Sequence, residues 1–300
     1  GLVVPPIRIR DDIRLDTNEY VISIHGAPVA RGTAIPDRYL AMDSGTVTEP
    51  IDGIATREPA FGLPAVWIQE QHRAEAERRG YTVVDAETVI ATHLTEVIKS
   101  RAHEILTREE VRRLLDNLRE KAGALVQDVV PDLLNIADVQ KVLQNLLRER
   151  VSIRNLELVL EVLADYGRRT KDPEILTEYV RNATARWLCS EYAEAGNTLH
   201  VVTLDPRLEE NIQQAIDHTE GGSFLTLAPA EVQRIIEAIG RELNTLLAAG
   251  HQAVVLTSPQ IRAQMKRMTE GSLPMLVVLS YNEILPEYKV ESVGMVRLTE

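Results

Sequence analysis

The chain has 300 residues, 44% of them hydrophobic and 26% charged, which is typical of a folded globular protein with two to four domains. Its formal net charge of −12 and its 4% of aromatic residues argue against nucleic-acid binding, since duplex binding needs clustered cations and single strands need aromatic stacking. A single cysteine excludes an internal disulfide, and no apolar run reaches the length of a membrane span.

The first third of the chain predicts a mixture of strands and helices. Alternating apolar and polar residues predict strands over 3–10 and 19–26, whereas residues 27–42 are rich in loop-forming residues. Residues 74–105 predict a helix, a glycine stop, a short strand and a second helix with its N-cap at Asp85. The start of the chain within a strand pattern suggests a fragment of a longer protein. The second helix carries an expected apolar stripe: Ile90, Leu94, Val97, Ile98 and Ile105.

The middle of the chain predicts helices only. Thr107 and Glu110 have the spacing of a capping box, and helical spacing of apolar residues continues over 137–166. Gly167 is expected to end that stretch as a C′ residue, and Asp172 followed by proline starts a further helix. No heptad repeat spans these helices, so they predict a bundle rather than a coiled coil.

The last third alternates strands with helices, which predicts an α/β layer domain. Helices are expected over 206–219 and 228–250 and again from Ser258 onwards. The expected strands cover 198–205, 223–227, 251–258, 273–280 and 288–298.

Motifs that carry catalytic or cofactor chemistry are missing from the sequence. Neither glycine-rich phosphate-binding pattern occurs, and Gly221-Gly222 precedes a strand, as a turn does. No serine lies in a nucleophile elbow. No histidine stands at metal-ligand spacing from another histidine or from Cys189. The seven histidines are His25, His72, His93, His103, His200, His218 and His251. An interaction protein is therefore favoured over an enzyme, with no specific nucleotide or metal site.

The stretch PAFGLPAVWI, residues 59–68, holds one of only two phenylalanines and one of only two tryptophans in the chain. Two prolines within it disfavour a helix or a central strand. Trp67 lies in a strand-like half and is expected in the core. Phe61 is either a core residue or an apolar group presented to a partner, and the residues alone favour the core.

Several longer stretches carry a resemblance to a known family. They are VVPPIRIRDD, RYLAM, REPAFGLPAVWI, GYTVVDAETVIATHLTEVI, VQKVLQNLLRERVSIRNLELVLEVLADY and LPMLVVLSYNEILPEYKVESVGMV. In this order they closely resemble the cytoplasmic part of the FlhA-type export-gate proteins of type III secretion (the FHIPEP family), across essentially the whole chain. RYLAM, PAFGLPA and VIATHL favour the flagellar branch over the injectisome export gates.

The resemblance implies a multi-domain chain of mixed α/β and α class with four subdomains. A small α+β subdomain, truncated at its N-terminus, would comprise 1–36 and 86–105, and an α/β subdomain, 37–85, would be inserted into it. A helical subdomain that contacts ring neighbours would follow over 106–190. A C-terminal α/β layer subdomain would complete the chain over 191–300.

The resemblance also implies a docking site for export chaperones loaded with substrates. The family's docking phenylalanine falls on Phe61 and its threonine on Thr92, in a shallow apolar depression between the first two subdomains. The family's acidic position falls on Glu58, which is one methylene longer than the aspartate of a well-known member. Pro59 and Pro64 would stiffen the loop and lower the ordering cost of presenting Phe61.

The partners implied are flagellar export chaperones with their substrates, the export ATPase complex, the switch-regulating gate protein and further copies of the chain in a nonameric ring. No nucleic acid, catalytic residue, metal or cofactor is implied. Family members reside in the inner membrane through an N-terminal domain, and the part resembled here faces the cytoplasm. Two alternatives stay open: an injectisome export gate, and a cytosolic enzyme with a nucleotide site in the C-terminal α/β layer.

Overall fold

A computed structural model describes residue 4 and residues 6–219 and 222–298, apart from the side chain of His218. The chain divides into two units, Leu2–Thr107 and Arg108–Glu300. The first unit is built on antiparallel sheets and the second on a helical bundle and a parallel sheet. This architecture confirms the predicted mixed α/β and α class, while the division into four subdomains stays a prediction.

The first unit contains a two-stranded hairpin and a four-stranded antiparallel sheet in the order β4-β5-β3-β6. The hairpin strands are β1 (Glu19–Ile24) and β2 (Ala27–Thr33), and the sheet strands are β3 (Arg38–Met42), β4 (Ile54–Arg57), β5 (Pro64–Gln69) and β6 (Thr82–Asp85). A 3₁₀ turn at Glu70–His72 leads into the helices, which are α1 (Arg73–Arg78), α2 (Ala86–Ser100) and α3 (Ala102–Ile105).

The alternation of side chains along β3 and β5 gives the four-stranded sheet an apolar core on each face. Leu40 and Trp67 pack with Val89 of α2 on one face, whereas Ala41 and Ile68 pack on the other. Trp67 is 2% exposed, which confirms its predicted place in the core. The sheet therefore fixes the position of α2, whose outer surface belongs to the candidate site.

Two secondary-structure predictions for the first unit are wrong. Residues 4 and 6–10 form no strand, and residues 27–42, predicted as loop-rich, contain β2 and β3. Both strands pair with an antiparallel neighbour, and this pairing overrides the weak local preference of glycine- and proline-containing sequence.

The second unit begins with five helices that form the predicted bundle. They are α4 (Arg108–Val129), α5 (Ile136–Arg148), α6 (Leu156–Tyr166), α7 (Pro173–Ala183) and α8 (Ala185–Tyr192). Asp172 caps α7 as predicted, by accepting a hydrogen bond from the amide of Glu174 at 2.8 Å. Gly167 follows the last residue of α6 but has a right-handed φ of −61°, so it is not a left-handed C′ residue. A Cβ at Gly167 would lie 2.5 Å from the Leu163 carbonyl oxygen and 3.2 Å from the Leu133 side chain, which explains a glycine there.

A parallel sheet in the order β11-β10-β7-β12 forms the rest of the second unit, together with the antiparallel hairpin β8-β9. The strands are β7 (Thr198–Leu204), β8 (Ile216–Thr219), β9 (Gly222–Leu225), β10 (Val254–Thr257), β11 (Val277–Ser280) and β12 (Lys289–Val296). The helices are α9 (Pro206–Gln214), α10 (Pro229–Ala248) and α11 (Arg262–Thr269), and a 3₁₀ turn spans Tyr281–Glu283. Among the described residues, no helix has the length and apolarity needed to cross a bilayer.

A buried ion network joins the bundle to the parallel sheet. Glu149, at the end of α5, accepts hydrogen bonds from Arg262 at 2.7 and 3.0 Å and from Arg181 at 3.1 Å. Arg181 also binds Glu283 at 2.7 Å, and Arg262 binds Glu178 at 2.6 Å. Burial disfavours the Glu149 carboxylate, but Arg262 and Arg181 outweigh it and lower its pKa to about 2.

Candidate functional site

The candidate site is built around the loop that connects β4 to β5, residues 58–63. The two strands pair up to Arg57 opposite Pro64, so the loop ends are held at the spacing of an antiparallel ladder. The amide of Glu58 donates to the carbonyl of Leu63 at 2.8 Å, and the amide of Gly62 donates to the carbonyl of Glu58 at 2.9 Å. Gly62 has a φ of +71°, a conformation that a side chain disfavours, which explains a glycine there.

Glu58 holds this loop from the inside. Glu58 is 2% exposed, and its carboxylate accepts hydrogen bonds from the amides of Ala60 at 2.8 Å and Phe61 at 2.6 Å. The bonds satisfy a buried charge and fix the backbone that carries Phe61. The acidic residue that the resemblance placed at the docking surface is therefore shielded behind the loop.

Phe61 projects from this fixed backbone into solvent. Its side chain is 57% exposed, so the interpretation of Phe61 as a core residue, which the residues alone favoured, is wrong. Burying a phenylalanine stabilises a fold by about 1.5–3 kcal/mol, and here that contribution is largely unused. An exposed aromatic on a braced loop is the arrangement expected of an anchor for a partner.

Beside Phe61 lies a shallow depression of about 250 Å³ whose other wall is the outer face of α2. The helical residues that line it are Ala91, Thr92, Thr95, Glu96 and Lys99. The predicted residues Phe61 and Thr92 thus meet at one depression. Sequence reasoning missed the other four, although the helical spacing from Thr92 would have placed them on the same face.

The opposite face of α2 fixes the orientation of this wall. Val89, His93 and Val97 are buried there, whereas Ile90 of the predicted stripe is 38% exposed. The stripe prediction is wrong at Ile90, because packing of Val89 against the sheet turns the helix. Asp85 caps the helix as predicted, by accepting a hydrogen bond from the amide of Thr88 at 2.7 Å.

A polar cluster lies beneath the site, between the hairpin and α2. The hydroxyl of Tyr20 lies 2.8 Å from Nδ1 of His93, and their rings meet edge to face. Burial raises the pKa of Tyr20 to about 12, with a further contribution from the charge of Glu58. Burial also lowers the pKa of His93, and Glu58 opposes this shift. Near pH 7 the cluster is expected to hold a protonated tyrosine and a neutral histidine.

The chemistry of the depression suits an apolar contact with a polar margin. Phe61 contributes an aromatic face, and Ala91, Thr92 and Thr95 contribute methyl groups. Glu96 and Lys99 lie at one end and add charges of both signs.

The structure brings together histidines that are far apart in the sequence. No histidine stands at metal-ligand spacing from another histidine or from Cys189 in the sequence, but the second unit brings His200 and His251 together with Glu194. One ligand atom from each of the three residues lies within 4.8 Å of the others. The sequence offered no signal for this cluster, because its members come from three segments joined only by the sheet.

Comparison with known proteins identifies the chain. A family model described as the FHIPEP family matches residues 1–289.

The chain belongs to the FHIPEP family.

The resemblance in the sequence is thereby confirmed. The flagellar biosynthesis protein FlhA of Bacillus subtilis is 44% identical over 99% of this chain and 44% of its own length. The chain thus spans less than half of that relative.

Solved structures of related proteins share the fold. The CdsV protein of Chlamydia pneumoniae matches with a TM-score of 0.86 and 28% identity over 98% of this chain and 85% of its own. The same protein in complex with CdsO matches with a TM-score of 0.84 and 28% identity, over 96% of this chain and 83% of its own. The nonameric EscV cytosolic domain from the type III secretion system matches with a TM-score of 0.74 and 25% identity over 95% and 84%.

Proposed function

We propose that this chain is a docking platform of the flagellar type III protein export gate and that it binds export chaperones loaded with their substrates. The docking surface consists of Phe61, the outer face of α2 around Thr92, and the loop braced by Glu58 between Pro59 and Pro64. Binding and release at this surface require no catalysis and no cofactor. The proposal rests on family membership and on the geometry of the depression.

The observation that carries the proposal is the exposure of Phe61 on a loop with little freedom. Backbone hydrogen bonds, the Glu58 carboxylate and two prolines all restrict the loop before any partner arrives. A partner therefore gains the burial of an aromatic ring without a large ordering cost. Such central aromatic anchors contribute much of the affinity of an interface.

Phe61→Ala tests the docking surface directly. We expect it to weaken binding of a flagellar chaperone–substrate complex by roughly 2 kcal/mol, about thirtyfold, with an unchanged melting temperature. Isothermal titration of the complex into each variant measures the effect. The matched control is Phe224→Ala, because Phe224 is the only other phenylalanine and is 52% exposed in the second unit.

Two results would contradict this docking surface. Equal losses of affinity for Phe61→Ala and Phe224→Ala would mean that general surface apolarity binds the complex. Unchanged affinity together with a large fall in melting temperature for Phe61→Ala would give Phe61 a structural role only.

A flagellar rather than an injectisome role is favoured by sequence identity. The relatives from Bacillus subtilis and Treponema pallidum, which are 44% and 42% identical to this chain, are both named flagellar biosynthesis proteins. Parallel titrations with flagellar and injectisome chaperones distinguish the two roles. Tighter binding of the injectisome chaperones would reverse the assignment.

We also propose that the chain assembles as a nonameric ring at the cytoplasmic side of the inner membrane, held there by a membrane domain of the full-length protein. The nonameric form of the EscV domain supports this proposal. The ring would present several docking surfaces together, near the export ATPase complex and the switch-regulating gate protein. The complex of CdsV with CdsO is a precedent for a partner.

The isolated chain is expected to associate only weakly. A net charge of −12 per copy opposes packing, and salt screens that repulsion. Light scattering over a series of salt and protein concentrations should show assembly rising with both. A stable nonamer at micromolar protein and low salt would contradict the expectation and indicate a strong interface between copies.

A further inference from the structure

Three separate segments of the second unit meet near the amino-terminal ends of β7 and β10, the two central strands of the parallel sheet. Glu194 follows α8, His200 lies in β7, and His251 lies in the turn between α10 and β10. The amide of Glu194 donates to the carbonyl of Thr198 at 2.9 Å, and the amide of His251 donates to the carbonyl of Leu246 at 3.2 Å. Because β7 and β10 are parallel neighbours, the segments that enter them lie side by side.

The side chains of these segments converge on the Glu194 carboxylate. Nδ1 of His251 lies 2.9 Å from Oε1 and 3.1 Å from Oε2 of Glu194, and Nδ1 of His200 lies 3.4 Å from Oε2. This nitrogen of His200 is shielded from solvent and has no hydrogen-bond partner among the described residues. A buried polar atom without a partner is uncommon and calls for an explanation such as a ligand.

We propose that Glu194, His200 and His251 bind a divalent transition-metal ion, with Zn²⁺ as the best match. Two imidazoles and one carboxylate are a common zinc ligand set, whereas Ca²⁺ and Mg²⁺ select oxygen ligands alone. The three side chains are between 18% and 35% exposed, so an ion can enter and one coordination position stays open to water or an outside ligand.

A second carboxylate adds to the attraction for a cation. Glu291 lies opposite His200 in the pairing of β12 with β7, and its Oε2 is 3.3 Å from Nε2 of His200. Glu291 thus lies where an outer carboxylate could support a metal-bound imidazole through its other nitrogen. The site therefore combines three ligands, a supporting carboxylate and a local excess of negative charge.

Binding requires a local movement of one ring. The rings of His200 and His251 stack with centroids 3.8 Å apart and planes 12° from parallel. An imidazole binds a metal in its own plane, so an ion between two parallel rings cannot lie in both planes. Nδ1 of His251 already bonds Glu194, but His251 lies outside the sheet, whereas the backbone of His200 is paired within β7. We therefore expect His251 to rotate when the ion binds.

The test is a Zn²⁺ titration of the metal-free chain near neutral pH, in competition with a chromophoric chelator. The expected result is one ion per chain with micromolar or tighter affinity. His200→Ala and His251→Gln should each weaken the affinity tenfold or more, as should Glu194→Gln, which keeps the size of the side chain. The control is His72→Ala, since His72 is 42% exposed and lies 3.6 Å from Glu75 in the first unit.

Thermal denaturation provides an independent readout of the same site. Zn²⁺ should raise the melting temperature of the chain and of His72→Ala but not that of the three site variants, because only a folded site binds the ion. The melting temperatures without metal show whether each variant folds. Absence of stoichiometric binding, or equal affinity of the site variants and the control, would overturn the proposal. Neither outcome affects the chaperone-docking assignment.

Discussion

Glu58 of the first unit and Glu149 of the second are both acidic side chains shielded from solvent, but their partners differ in kind. Glu58 accepts two hydrogen bonds from amides two and three residues along the same loop. Glu149 binds two guanidinium groups from residues 32 and 113 positions away. The first arrangement shapes one short surface segment, whereas the second joins distant parts of a unit.

Because their partners differ, Glu58 and Glu149 are expected to contribute to different properties of the protein. Loss of the Glu58 bonds should change the presentation of Phe61 while the sheet beneath keeps its core. Loss of a member of the Glu149 network leaves a buried charge without its partner and should destabilise the second unit as a whole. Binding is therefore expected to depend on the first region and stability on the second.

The largest expected effect is that of Arg262→Met. This change leaves Glu149 and Glu178 without their shared guanidinium, and we expect the free energy of unfolding to fall by about 3–5 kcal/mol. The control is Arg119→Met, because Arg119 is half exposed and pairs with Asp116 at 2.8 Å within one helix. Arg119→Met should lower the free energy of unfolding by about 0.5 kcal/mol or less. Urea unfolding measures the stability of both variants. Similar losses of stability in Arg262→Met and Arg119→Met would refute the contrast between buried and surface ion pairs.

Acid should weaken the same network. The pKa of Glu149 is lowered from 4.5 to about 2 in the folded state, so its contribution is complete above the unfolded value and disappears as pH falls from about 4.5 towards 2. The lowering corresponds to about 3 kcal/mol. Glu149→Gln should be less stable near neutral pH and should show a flatter decline in acid. If the stabilities of the unchanged chain and of Glu149→Gln fell in parallel as the pH is lowered, Glu149 would not be the group responsible for the loss of stability in acid.

A smaller effect is expected at Gly62. Its φ of +71° costs a side chain about 1 kcal/mol, although no atom lies within 4 Å of the position that a Cβ would take. Gly62→Ala should therefore destabilise the loop and weaken chaperone binding. Gly240→Ala is the matched control, since Gly240 lies inside α10 with open space around it and alanine there should stabilise by about 0.5–1 kcal/mol. Equal effects of Gly62→Ala and Gly240→Ala on chaperone binding would show that the backbone of the loop does not contribute to binding.

Much of the fold was predictable because its signals are local. The caps at Asp85 and Asp172 were predicted from local signals and are confirmed, as is most of the strand–helix alternation after residue 197. The helix expected over 206–219 is wrong at its end, because Ile216–Thr219 pair with β9 as strand β8. The prediction failed where partners far along the chain decide the structure. Strands β2 and β3 have weak local preferences and exist through pairing, and the rotation of α2 depends on the sheet beneath Val89.

The candidate site was predictable only in part. The resemblance directed attention to Phe61 and Thr92, and the structure brings both to one depression. The role of Glu58 as an internal brace could not be predicted, because it depends on the loop conformation that brings two amides to one carboxylate. The Glu194, His200 and His251 cluster was missed for a related reason, since its segments meet only when the parallel sheet forms.

The most direct test of the account is a double-variant cycle on Glu58 and Phe61 with a chaperone–substrate complex. Glu58→Gln keeps the size of the side chain but loses at least one amide bond, so we expect binding to weaken by about 1–2 kcal/mol. If Glu58 acts only by positioning Phe61, the same change should have no further effect in the Phe61→Ala background. Losses that simply add in the double variant would contradict the account, because they would give Glu58 a contact with the partner independent of Phe61.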